Sequence, residues 1–99
     1  MCTGDSIPKN IAVTVSLAGN IEGPYEHGPI APGNGDHLTY VLAREFAEPH
    51  SVIESKPWGG GFTLSQAPHE DYEICVQLPE DATGIKDGHI SVHDVRDKP

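Results

Sequence analysis

Six histidines, two cysteines and fifteen carboxylates are the side chains from which this chain of ninety-nine residues would build any chemistry. His89 and His93 are four apart in a stretch that alternates Ile90 and Val92 with polar residues, which predicts a strand. On a strand, side chains four apart share a face but sit about 13 Å from each other, at ~3.3 Å per residue. Two ligands of one zinc ion must each lie within ~2.1 Å of it, so this pair cannot chelate. His27, His37, His50 and His69 fall in or beside predicted loops. Cys2 and Cys75 belong to neither a C-x-x-C pair nor a zinc-ligand spacing, and read as two unrelated thiols. His93-Asp94 and several serines are present, without a nucleophile elbow or a catalytic-cysteine signature. Gly59-Gly60-Gly61 lacks the Lys-Ser/Thr that completes a phosphate loop. Asp81 to Asp87 lacks the alternating oxygen ligands and terminal Glu of a calcium loop. The expectation is a non-enzyme, with no catalytic residue, no metal and no cofactor.

Two features point to binding instead. Trp58, the only tryptophan, sits beside three glycines at a predicted hairpin tip. Exposed tryptophan and tyrosine make good interface anchors because they bury large area at low entropy cost. Tyr25, in the loop leading to His37, is the second anchor on this reading. The other feature is charge. The chain carries −9, of which residues 36–99 hold −7. Glu70, Asp71 and Glu73 concentrate it at the start of a strand. Such a surface repels nucleic-acid phosphates and anionic membranes and steers basic partners.

The elements that would position these residues are short strands. Ile11, Val13, Val15 and Leu17 alternate with Ala12, Thr14 and Ser16, and Tyr72, Ile74, Val76 and Leu78 alternate with Glu73, Cys75 and Gln77. Between Gly19 and Gly35 the density of Gly and Pro excludes a helix and permits only a short edge pairing near Ile21. Residues 37–47 fit two templates equally. A helix would bury Leu38, Val41, Leu42 and Phe46, whereas a strand would bury Leu38, Tyr40, Leu42 and Phe46. Val52 to Lys56 and Phe62 to Ser65 read as strands joined by the Trp58–Gly61 turn. Pro79 to Gly88 reads as a polar loop, and His89 to Val95 as the last strand.

Gly61-Phe62-Thr63-Leu64, then Pro68, then Tyr72-Glu73-Ile74-Cys75-Val76, resembles the hairpin of carboxypeptidase-regulatory or prealbumin-like β-sandwich domains. The resemblance spans about twenty residues closely and departs at Pro68-His69-Glu70-Asp71, where those domains turn on proline-glycine. It implies that Phe62 and Leu64 face Tyr72, Ile74 and Val76, and that residues 37–47 form a strand.

The fold expected is therefore all-β, a small antiparallel β-sandwich of about six or seven strands. A two-layer α+β domain with a helix at 37–47 is the alternative. The chain reads as one domain over 1–99, with a polar segment at 1–9 and a Gly/Pro-rich loop at 19–36. The function expected is a non-catalytic, acidic protein-binding domain. In the first setting it is a cytoplasmic inhibitor or modulator of a basic, nucleic-acid-handling complex, of the anti-defence kind that mobile elements use. Trp58, Tyr25, Glu70, Asp71 and Glu73 are the partner-binding candidates. In the second setting it is a β-sandwich lipoprotein module of the cell envelope, binding protein or glycan. Met1 would then replace a removed signal peptide and Cys2 would carry the lipid. Oligomeric state is left open.

Overall fold

A computed structural model describes residues 1–23, 28–30 and 39–94, and among these it contains strands and no helix. In chain order the strands are β1 (Val13–Glu22), β2 (Gly28–Pro29), β3 (Tyr40–Glu45), β4 (Val52–Pro57), β5 (Phe62–Thr63), β6 (Tyr72–Gln77) and β7 (Gly84–Asp94). They form two antiparallel sheets, and the chain is an all-β sandwich. In the first sheet β7 runs along one edge of β1, while β5 and β2 share the other edge, one at each end. In the second sheet β3 lies between β4 and β6. Residues 1–7 continue this sheet beyond β6 through bridges at Cys2–Cys75 and Ile7–Tyr72.

Alternation within β1 and β3 supplies one part of the core, and β6, buried along nearly its whole length, supplies another. Val13, Val15, Phe62 and Leu64 meet Val41, Ala43, Tyr72 and Ile74, and Trp58 completes the buried cluster. Ile90 and Val92 pack against it from β7, as their alternation predicts. The Tyr72 hydroxyl donates to the Ile11 carbonyl. Burial, reinforced by the Asp94 carboxylate, pushes its pKa up to about 12.

Four details depart from expectation. Residues 40–45 form the strand, but Val41 and Ala43 are the buried pair, not Tyr40 and Leu42. A middle strand must face the way its neighbours face, and here Val41 lies opposite Val76 and Ala43 opposite Ile74. The outward face is also occupied, since Leu42 lies opposite Cys75 and Arg44 opposite Glu73.

The glycine turn after Trp58 does not close a hairpin either. β4 pairs with β3, and β5 pairs with β1 in the other sheet, so residues 58–61 carry the chain across the sandwich. Trp58 donates its backbone N–H to Thr39 and turns its ring into the core. In the same way Phe62 and Leu64 share the core with Tyr72 and Ile74, but from opposite sheets and not as a hairpin.

The third departure is at 84–88, which is strand and not loop. β1 continues past Gly19 through a register shift between Ala18 and Asn20, and β7 extends to meet it at Ile85 and Lys86. Gly19 has φ 135°, and a Cβ there would stand 2.8 Å from Ile85 Cδ1 and 3.0 Å from Gly88 Cα. Only glycine allows the two backbones to approach this closely. The short edge pairing expected near Ile21 is present, with Ile21 opposite Gly28.

Finally, the cysteines are not unrelated. Cys2 and Cys75 form a disulfide across 73 positions of sequence. Residues 1–9 therefore lie against the sheet, with Thr3 and Ile7 donating backbone N–H groups to Ile74 and Tyr72. The two cysteines are distant in sequence but opposite in space, which spacing rules do not register.

Candidate functional site

The site begins with an irregularity in an edge strand. Ala43 pairs with Glu54 and Arg44 with Val52, which leaves Ile53 as the extra residue of a β-bulge. A bulge bends its strand and re-aims a side chain. Ile53, at 38% exposure, lines a groove of about 410 Å³. The opposite wall is the connection from β5 to β6, including Ala67, Pro68 and Glu70, while Glu45 and Glu54 border the groove from the second sheet. Two main-chain contacts hold these walls in place. The Glu45 N–H donates to Ser51 across the β3–β4 connection, and the Phe46 N–H donates to Asp71. A second hollow of about 220 Å³ shares Glu45 and Glu70 with the first and adds Lys9, Phe46 and Asp71.

The carboxylates here are not equivalent. Glu54 accepts from the Ser65 N–H at 3.1 Å and hydroxyl at 3.0 Å, and pairs with Lys56 at 3.0 Å. Burial pushes its pKa up, but the Ser65 and Lys56 donors outweigh that and hold it below the ordinary value. Lys56 is itself placed over the Phe62 ring, 5.7 Å from its centre. Asp71 accepts the Lys9 N–H at 3.0 Å. Glu45 and Glu70 have no side-chain hydrogen bond or ion pair among the described residues. They share the lining of the groove with the apolar side chains of Ile53, Ala67 and Pro68. Two unneutralised carboxylates beside apolar walls suit a cation carried on an aliphatic stem, as in lysine or arginine.

The residues singled out in the sequence divide. Glu70 and Asp71 lie on these hollows. Glu73 does not, because it is 5% exposed and pairs with Arg44 Nε at 2.8 Å. Trp58 is 5% exposed and belongs to the core, so it is no surface anchor. Tyr25, His27 and His37 lie outside the described residues. Cys2 places its sulfur in the disulfide, and one sulfur cannot also carry a thioether-linked lipid. His69 lies on the groove, His50 Nδ1 is 3.1 Å from the Glu45 carbonyl, and His89 and His93 are exposed on β7. Glu45, Ile53 and Glu54 were not anticipated. The available signal was Val52-Ile53, two adjacent β-branched apolar residues that interrupt the alternation of β4.

No family model, curated protein or solved structure matches this chain.

Proposed function

We propose that this domain binds a basic partner protein by seating a lysine or arginine side chain in the groove between Glu45 and Glu70. The observation that carries this reading is the pairing of two unneutralised carboxylates with the bulged Ile53. The aliphatic stem of the partner's side chain lies on Ile53 and Pro68, and its charged head bridges the carboxylates. The net charge of −9 brings such a partner in and works against a second copy of the chain occupying the groove. The domain acts in this way as a non-catalytic inhibitor or modulator of a basic partner, such as a nucleic-acid-handling complex.

The test is a fluorescein-labelled peptide alternating arginine and leucine, titrated by anisotropy at low and at physiological salt. The double variant Glu45→Gln/Glu70→Gln should bind at least about tenfold more weakly, corresponding to the loss of two charge-assisted contacts. Glu22→Gln/Glu80→Gln, on exposed positions elsewhere, makes the same change in net charge. Equal weakening in both double variants would show diffuse attraction and reject the groove.

The disulfide favours a second setting. Such bonds persist in oxidising compartments, which suits the cell envelope, with Cys2 held to Cys75 and not to a lipid. The intact mass of the protein from its own host separates the cases, since the disulfide makes it two hydrogens lighter than the chain with both thiols reduced.

A further inference from the structure

Residues 1–9 lie along β6, and the register puts Cys2 opposite Cys75. Glu73 stands two residues before Cys75 on the same strand, so both side chains leave the sheet on one face. The ligand atoms of Cys2, Glu73 and Cys75 all lie within 4.8 Å of one another. Glu73 and Cys75 are each 5% exposed, while Cys2 is half-buried.

We propose that, once the disulfide is reduced, Cys2, Cys75 and Glu73 hold a thiophilic divalent cation of the zinc class. The covalent bond and the metal site are then alternative states of one cluster. A phosphine or dithiol reductant supplies two electrons and is itself oxidised, and the S–S bond breaks as two protons add to form two thiols. The cation displaces those two protons to solvent and forms two metal–thiolate bonds. With Zn–S distances of about 2.3 Å and a tetrahedral angle, the sulfurs stand about 3.8 Å apart. Rotation of the Cys2 side chain, the more exposed of the two, provides this separation.

Charge and orientation favour the site. Two thiolates and a carboxylate around a dication leave a single negative charge, and the Arg44 guanidinium beside Glu73 balances it. Arg44 bonds one carboxylate oxygen at 2.8 Å, which leaves the other for the metal and fixes its direction. Cys2 is the least buried of the three, so water completes the coordination from its side. In a reducing compartment, where the disulfide does not persist, this is the state the cluster adopts.

The experiment is an anaerobic titration of the phosphine-reduced chain with Co²⁺, followed in the near-ultraviolet and visible. One Co²⁺ per chain is expected, with thiolate-to-cobalt charge transfer and the strong visible bands of tetrahedral coordination. Zinc should bleach both, and the unreduced chain should show neither. Cys75→Ser should abolish the signal, and Glu73→Gln should weaken binding at least about tenfold. Absence of a thiolate band, one cation shared by two chains, or unchanged affinity in Glu73→Gln would overturn the proposal. Trp58 emission followed in the same titration reports the fold. A reduced chain that unfolds and does not refold on adding Co²⁺ overturns it as well.

Discussion

Tyr72 has no exposed surface, and its hydroxyl is held by the Ile11 carbonyl, so ionising it inside the fold is costly. Its pKa is about 12 in the folded chain against an ordinary value near 10. A raised folded pKa on an acid means that the protonated form is the one the fold stabilises. The contribution is fully present below about pH 10 and disappears as pH rises through about 12, amounting to on the order of 2 kcal/mol. Denaturant midpoints of the unaltered chain should fall across that window, and those of Tyr72→Phe should fall less steeply. Arg44 and Glu73 make a second prediction at this scale. Arg44→Ala leaves a buried carboxylate without its partner and should cost about 2–4 kcal/mol in chemical denaturation. Arg44→Met combined with Glu73→Leu should recover most of that loss, because the pair is then replaced by apolar packing.

Among the elements, β1 and β7 depend on one position. Gly19→Ala puts a Cβ against Ile85 and the Gly88 backbone at a φ that side chains rarely adopt. A loss of about 2 kcal/mol, read as a lower melting temperature, is expected. Gly59→Ala, with open space around it, should change little by comparison. The strands themselves were largely legible, because β-branched alternation at 13–17 and 72–76 is written directly in the residues. Their partners were not. Nothing local in Phe62-Thr63 says that it pairs with Val15 and not with the preceding strand, and the glycines that suggest a hairpin serve a sheet crossing equally well. The direction of β3 was illegible for a related reason. Tyr40 and Leu42 are no less apolar than Val41 and Ala43, and only the neighbouring strands decide which pair faces inward. At the site, the acids of 70–71 were visible as a run of like charge. Glu45 and Ile53 join them only through folding, and Glu73 is drawn away by Arg44.

At the scale of the whole chain, stability rests on a cross-link as well as on the core. Closing a loop of this length removes about 4 kcal/mol of unfolded-state entropy, a large share of the 5–15 kcal/mol typical of a domain. Adding a phosphine reductant should therefore lower the denaturation midpoint strongly, and Cys2→Ser should match the reduced chain without reductant. The disulfide was hidden from the sequence because cross-strand proximity of residues 2 and 75 is a property of the finished sheet.

That arrangement also has a consequence in time. Cys2 leaves the ribosome roughly 4–15 s before Cys75, at the ~5–20 residues per second of synthesis. β1 likewise waits for β7, its longest partner, until nearly the whole described chain has been made. Residues of β1 and the Cys2 segment are thus made well before the segments they pair with. Until then the apolar face of β1 and the Cys2 thiol are open to other molecules, so the hazard in making this protein falls during its synthesis.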